Sequence, residues 1–260
     1  MILVTTYYKS SNNDRNNEIN KCLYKNYENK YIHKIYLLND EIYDINFIND
    51  TKNKIVQHKI SDNKKYKLKY NDAIKFINEN LKDKICILSN SDIYFDNSLS
   101  KINNRIMYKS WETKSPGLLR LASPEYNQVT CDLHLPHLVV QSCFALLRYD
   151  EDIRGNKKIF MRNGEARDDS QDCWIFRSPL NIDLNKIDFS FGTLGCDSIL
   201  SAHIYDIGLN ISNPCYDIIS THVHNTEFRT YNDDNRIHGK YCLLKPCKLG
   251  ENPKIDFIDY

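Results

Sequence analysis

Residues 84–96 read KICILSNSDIYFD, an apolar run followed by a polar, acidic turn. Four apolar residues in succession, 85–88, are typical of a strand buried on both faces of a parallel sheet. Ligands of open α/β sheets bind beyond the carboxyl ends of such strands. Asp92 and Asp96 stand at that position, and carboxylate oxygens suit Mg²⁺ or Mn²⁺. The alternative is an ordinary turn in which Asp96 or Asn97 caps the next helix.

Composition narrows the class of protein. The chain has 260 residues, 41% of them hydrophobic, which is enough for a substantial core. Lysine and arginine number 35 against 34 acidic residues, so bulk charge favours neither nucleic acid nor a membrane surface as a partner. No run reaches membrane-spanning length, and the first eight residues lack a basic leader. Nine scattered cysteines without a Cys-x-x-Cys pair predict reduced, buried thiols and a cytoplasmic protein.

The first hundred residues alternate between strand and helix patterns. We expect strands at 2–8, 33–38 and 54–60, the last at an edge, and a helix over 14–27. A second helix, starting at Asn71 or Asp72, precedes the strand at 85–88. This alternation predicts an α/β fold with a mostly parallel sheet in one domain, 1–260. The chain contains no Gly-x-Gly-x-x-Gly and no glycine-rich phosphate loop.

The second half adds further candidates for a site. Strands are expected at 117–122 and 138–148, and the polar segment 149–170 resembles a surface loop that covers a site. Asp172 precedes an aromatic strand, and Asp197 lies at the start of a helix that ends near Gly208. Asp197 suits either a helix cap or a general base. His222 and His224 share one side of a predicted strand, as a polar face or as ligands.

The order of these signals resembles that of GT-A-type glycosyltransferases, in particular small enzymes of large DNA viruses and some bacteria. Asn90-Ser91-Asp92 resembles the Asp-x-Asp element of that family, with Asn90 in place of the first acid. Residues 196–200, followed by Gly208, resemble the Glu-Asp motif and helix of inverting members, with a cysteine before Asp197. His222 or His224 resembles the late histidine of the metal site.

The resemblance implies a GT-A-like domain with a nucleotide-sugar-binding half, 1–100, and an acceptor and catalytic half, 101–260. It implies transfer of a sugar, by inversion, from a UDP-sugar to a hydroxyl of a glycan or glycoprotein in the cytoplasm, of the host if the protein is viral. Asp92, His222 and His224 would hold Mn²⁺ or Mg²⁺, and Asp197 or Asp172 would be the base. The residues expected near the nucleotide are Thr5, Thr6, Tyr7, Arg15, Asp40, Asp72, Asn90 and Ser91.

Three other interpretations remain open. A sugar nucleotidyltransferase uses a similar sheet, but it normally carries a glycine-rich loop after the first strand, and residues 9–15 contain no glycine. A binding module that has lost catalysis would keep the same pattern. A zinc site on Cys131, His134 and His137, with Cys143 beyond, has a spacing that matches no standard structural zinc motif.

Overall fold

The computed structural model describes residues 1–63, 66–111, 138–226 and 235–260. Its helices are α1 (Asn13–Glu28), α2 (Tyr70–Asn80) and α3 (Cys196–Asp206). Its strands are β1 Ile2–Thr5, β2 Lys34–Asn39, β3 Ile55–Lys59, β4 Ile85–Ser89, β5 Ile93–Phe95, β6 Tyr108–Trp111, β7 Leu138–Leu146, β8 Tyr149–Glu151, β9 Lys157–Ile159, β10 Met161–Arg162, β11 Glu165–Ala166, β12 Cys173–Arg177, β13 Asn210–Ser212, β14 Ser220–His222, β15 Lys240–Leu244 and β16 Ile255–Asp259.

A large central sheet has the strand order β13-β7-β12-β4-β1-β2-β3, and β6 pairs with the first part of β7. Strands β3, β2, β1 and β4 are parallel neighbours, and β13 is parallel to β7. Strand β12 runs antiparallel to both β4 and β7. The predicted α/β class with a mostly parallel sheet is therefore confirmed, and β3 lies at an edge as expected.

Strand β4 is buried on both faces, as its sequence predicts. Cys86, Ile87 and Leu88 have no solvent exposure. Because side chains alternate along a strand, Cys86 and Leu88 pack into the core below α2 and α3, whereas Ile87 packs into the core below α1. Trp174 of β12 joins the first core, and its Nε1 donates a hydrogen bond to Ser201 Oγ of α3 at 3.2 Å. These two cores hold the carboxyl ends of the central strands in fixed positions.

Several expectations about single elements need correction. The first helix is confirmed, with Asn12 as its N-cap, but α2 begins at Tyr70 after Lys69, one or two residues earlier than predicted. The segment 149–170, expected to be a loop, contains the short strands β8 to β11. Of these strands, β8 pairs with β14 of a second sheet and with β9, whereas β10 and β11 pair with each other. The strand predicted at 117–122 lies outside the described residues.

The second sheet is small, with the order β5-β14-β8-β9. His222 of β14 lies opposite Ile93 of β5 on one side and opposite Asp150 of β8 on the other. Asp92 immediately precedes β5, and its carbonyl accepts a hydrogen bond from the backbone N–H of Val223 at 3.0 Å. This sheet therefore brings the acidic turn after β4 to the late histidines.

Two further expectations concern the described part of the chain. Its eight cysteines are buried, as their scattered positions in apolar runs predict. Within the same residues, no helix combines the length and the apolar character needed to cross a membrane.

Candidate functional site

The carboxyl edge of the sheet collects polar side chains because neighbouring strands end or begin there. Strands β1 and β4 are parallel, and Thr5 Oγ1 at the end of β1 donates to the carbonyl of Ser89 at 2.8 Å. Strand β12 is antiparallel to β4 and begins opposite Ser89, so Asp172 lies beside Asn90. Asn90 Nδ2 donates to Asp172 Oδ1 at 3.1 Å. Two of the predicted site residues are therefore in contact.

The Asp92 cluster, which we define as Arg15, Asp92, His222 and His224, lies next to this edge. Arg15 Nη2 is 2.5 Å from Asp92 Oδ2, and His222 Nε2 is 3.3 Å from the same oxygen. Arg15 Nη1 lies 2.8 Å from His224 Nδ1. The two imidazole rings stack with their centroids 5.4 Å apart. Four predicted residues thus form one group, although they are separated by up to 209 positions in the chain.

Helix α1 fixes this cluster through a second residue, Glu18, one turn after Arg15. Glu18 Oε2 accepts from Arg15 Nη1 at 2.9 Å. Its other oxygen, Oε1, accepts the backbone N–H groups of Asn225 at 2.6 Å and of Thr226 at 2.9 Å. The buried face of α1 therefore anchors both the acidic turn and the segment after β14.

Charge pairing dominates the electrostatics of the cluster. Burial alone raises the pKa of the Asp92 carboxyl, but His222 and Arg15 outweigh burial and hold this pKa well below its usual range. Burial also lowers the pKa of His222, but Asp92 and Asp150 more than offset it and raise that pKa to about 9. The pKa of His224 is lowered, first by its burial and then by Arg15.

The predicted metal ligands fit a divalent cation in spacing but not in charge. One ligand atom from each of Asp92, His222 and His224 lies within 4.8 Å of the other two. Mg²⁺ and Mn²⁺ prefer several oxygen ligands, and this set offers one carboxylate. The Arg15 guanidinium is already in contact with that carboxylate and with His224. A divalent cation would meet a positive charge within hydrogen-bonding distance of its ligands, so these residues as arranged do not fit Mn²⁺ or Mg²⁺.

A bridge of two residues connects the Asp92 cluster to Asp172. His222 Nδ1 lies 2.9 Å from Asp150 Oδ1, and Arg148 Nε donates to that same oxygen at 2.9 Å. Arg148 Nη1 donates to Asp172 Oδ2 at 2.9 Å. Acidic and basic side chains alternate along this series of contacts, so each partly buried charge lies next to a charge of opposite sign.

Asp197 lies in a different environment, in the first turn of α3. Gly195, at a φ of 86°, is the N-cap, so Asp197 does not fill the capping position that its sequence allows. A side chain at Gly195 would collide with the hydroxyl of Tyr241. Burial and, after it, the nearby Asp172 raise the pKa of Asp197 to about 7. The charged and titratable groups that act on Asp197 or respond to it are Asp172, Arg148, Arg167, Cys196, Tyr70 and Tyr241.

The remaining predicted nucleotide contacts lie along the same edge but in separate local arrangements. Tyr7 is buried, its N–H donates to Asn39 Oδ1 at 2.8 Å, and its ring packs against Tyr43. Thr6 Oγ1 lies 3.4 Å from the same Asn39 oxygen. Asp40 accepts from the Tyr43 hydroxyl at 2.8 Å.

Three other predicted residues do not join the Asp92 cluster. Asp72 accepts a short hydrogen bond from the hydroxyl of Tyr66, in the connection before α2. Asp96 is the N-cap of a 3-10 helix over Asn97–Lys101 and accepts from the Ser98 N–H at 2.9 Å, which is the alternative role predicted for it. Ser91 is half-buried in the turn between β4 and β5. The zinc interpretation concerns Cys131, His134 and His137, which lie outside the described residues.

A cavity of about 420 Å³ opens at the opposite edge of the sheet, where β1, β2 and β4 begin. Its lining includes His33, Lys34, Lys84 and Arg177. None of the predicted site residues lines this cavity.

Sequence reasoning missed Glu18, Arg148 and Asp150. The pair Arg15 and Glu18 has the i, i+3 spacing that places side chains together on one helix face, which is a signal that was available. Asp150 gave no such signal, because its segment lacks the alternation of a strand and only its pairing with β14 brings it to His222.

The chain was also compared with known proteins. No protein-family model matches it, and neither does any curated protein.

Proposed function

We propose that the chain is a GT-A-type glycosyltransferase that transfers a sugar, with inversion, from a nucleotide diphosphate sugar to a hydroxyl of a glycan or glycoprotein. A UDP-sugar is the favoured donor, by resemblance. The observation that carries the proposal is Asp197, a carboxylate with a pKa of about 7 beside Asp172 at the carboxyl edge of a mostly parallel sheet. Ligands of such sheets bind at that edge.

Asp197 is the base in this proposal. A general base works best when its pKa lies near the working pH, because it is then deprotonated and still accepts a proton readily. Asp197 would take the proton of the acceptor hydroxyl as that oxygen attacks the sugar carbon and the nucleoside diphosphate leaves. Asp172 is held by Arg148 and Asn90, so we assign it to positioning and to raising the pKa of Asp197.

The donor would lie along the ends of β1, β2 and β4. Tyr43, which donates a hydrogen bond to Asp40, and the exposed Phe47 both pack against Tyr7 and offer aromatic surface for a base. Among the described residues, Asn90 Oδ1 is buried and accepts no hydrogen bond, which leaves an acceptor for a sugar hydroxyl. Arg148 and Arg167, whose guanidiniums both stack on the ring of Phe160, are the cations assigned to the diphosphate.

Two measurements test the proposal. In a thermal-shift screen of UDP, GDP, dTDP and CDP, at least one nucleotide should raise the Tm, because a ligand that binds only the native state stabilises it. With radiolabelled nucleotide sugars, Asp197→Asn should lower donor turnover by about 10²–10⁴-fold, the usual contribution of a general base. The Tm shift caused by the nucleotide should persist in this variant.

The matched control is Asp206→Asn, at the other end of α3, where an exposed carboxylate pairs with Lys240 at 2.7 Å. Turnover in this variant should equal that of the wild type. Nucleotide binding without turnover in the wild type would favour a binding module, and formation of a nucleotide sugar from a sugar phosphate would favour a nucleotidyltransferase. No shift with any nucleotide would refute the proposal.

A further inference from the structure

We infer that Arg15 is the resident cation of the Asp92 cluster and that it excludes a divalent metal ion from Asp92, His222 and His224. This inference concerns the donor atoms themselves and does not rest on the proposed transferase activity. It differs from the family resemblance, which implies Mn²⁺ or Mg²⁺ at these residues.

The Arg15 guanidinium lies among the atoms that would bind a metal. Arg15 Nη2 contacts Asp92 Oδ2 at 2.5 Å, and Nη1 lies 2.8 Å from His224 Nδ1. His222 Nε2 points to the same Asp92 oxygen at 3.3 Å. Each ligand atom that a metal would need is therefore already engaged, either with Arg15 or with another member of the cluster.

Arg15 is held firmly in this place. Its Nη1 also donates to Glu18 Oε2 at 2.9 Å and approaches the Val223 carbonyl at 3.5 Å. Only 9% of its side chain is exposed, and it belongs to the long helix α1. A metal that displaced Arg15 would leave the buried Glu18 carboxylate without the cation that it pairs with. Leaving a buried charge without its counter-charge is strongly unfavourable.

The balance of charge also disfavours a divalent cation. Arg15 contacts both Asp92 and Glu18, so the Asp92 carboxylate already has a positive charge at contact distance. A divalent cation bound to the same oxygen would lie a few ångströms from a positive charge in a poorly solvated place, where repulsion is strong. Arg15 thus supplies to Asp92 the positive charge that a metal would supply, and it does so permanently.

The test uses Mn²⁺ alone as the probe, with electron paramagnetic resonance to measure the free ion. Wild-type protein should leave the signal of added Mn²⁺ unchanged. Arg15→Met removes the guanidinium from Asp92 Oδ2 and His224 Nδ1, so it should bind one Mn²⁺ per chain at least about a hundredfold more tightly than the wild type. Arg15→Lys, which keeps the charge, should not gain this binding.

Two controls make the result specific. The double variant Arg15→Met with Asp92→Asn should lose the binding gained by Arg15→Met alone. Arg154→Met, at an exposed arginine away from the cluster, should behave as the wild type does. Circular dichroism confirms that each variant is folded.

Stoichiometric Mn²⁺ binding by the wild type that Asp92→Asn abolishes would overturn the inference. A folded Arg15→Met that gains no Mn²⁺ would also overturn it, because Arg15 would then not be the excluding group. If Arg15→Met does not fold, Arg15→Gln, which keeps a hydrogen-bond donor for Glu18 but removes the charge, takes its place, with the same expected gain and the same contrary result.

Discussion

Asp92 and Asp197 are both carboxylates near the carboxyl edge of the central sheet, yet the protein gives them opposite properties. Asp92 contacts Arg15 and His222, and these cations keep its pKa well below the usual range. Asp197 lies beside another acid, Asp172, and burial with this neighbour raises its pKa to about 7. The charges around a carboxylate, more than its place at the end of a strand or helix, decide which of the two can exchange a proton near neutral pH.

We expect the largest effect on stability from replacing Asp92. Asp92→Ala leaves Arg15 and His222 buried without their shared counter-charge. Removing one partner of a buried ion pair typically costs about 3–5 kcal/mol, so we expect the free energy of unfolding to fall by that amount. Chemical denaturation of both proteins at pH 7 measures the difference.

Asp62→Ala serves as the control for that experiment, since the side chain of Asp62 is 99% exposed and pairs with Lys59 on the surface. Asp62→Ala should leave the free energy of unfolding unchanged, because surface substitutions of this kind have little effect. A neutral Asp92→Ala would mean that the cluster contributes nothing to stability.

The next effect concerns the bridge between the two carboxylate sites. Arg148→Met removes hydrogen bonds to Asp150 and Asp172. We expect a loss of about 1.5–3 kcal/mol, the usual range for hydrogen bonds to charged groups. Arg148 lowers the pKa of Asp197, so its removal should raise that pKa. The midpoint of the pH–rate profile of the proposed sugar transfer should therefore also move to higher pH. A midpoint that stays in place would show that the two regions are electrostatically independent.

A third effect is the pH dependence of stability on the Asp197 side. The unfolded chain releases this proton near pH 3.9, whereas the folded protein holds it until about pH 7. Between these values the folded state binds more protons, so Asp197 makes stability fall as pH rises, with a slope of up to about 1.4 kcal/mol per pH unit.

Denaturation of wild type and Asp197→Asn between pH 4 and pH 8 measures this slope. The variant has no carboxyl to titrate at that position, so the difference between the two proteins should carry the whole contribution. If the free energy of unfolding of the two proteins changed with pH in the same way, this result would contradict the raised pKa of Asp197.

The smallest effect tests the role of Asp96, which the sequence left open between ligand and cap. As the N-cap of a short 3-10 helix, Asp96 should contribute only about 0.5 kcal/mol to the free energy of unfolding. Asp96→Ala should therefore lower the stability only slightly, and Asp96→Asn should lower it even less. Neither variant should alter turnover of a nucleotide sugar. A large loss of turnover would place Asp96 in the site after all.

Much of the fold follows from the sequence because hydrophobic periodicity is a local property. The run at 85–88 marks a fully buried strand, and the spacing of apolar residues over 14–27 marks α1. The segment 149–170 has no such pattern. Its strand β8 exists because β14, about seventy residues later, pairs with it, and a pairing of that range leaves no mark on local periodicity.

The sequence by itself determined the α/β class, the burial of β4 and the place of Asn90 and Asp92 just beyond the carboxyl end of that strand. The antiparallel direction of β12, which the tertiary structure shows, brings Asp172 to the same edge. Only the tertiary structure decided which charge each acid faces. Arg15 lies on a helix 77 positions before Asp92, yet it contacts Asp92 at the position predicted for a metal ion. Asp197 lies near Asp172 instead. The physical reason is that electrostatic energy depends on distance in space and on burial, neither of which sequence separation records.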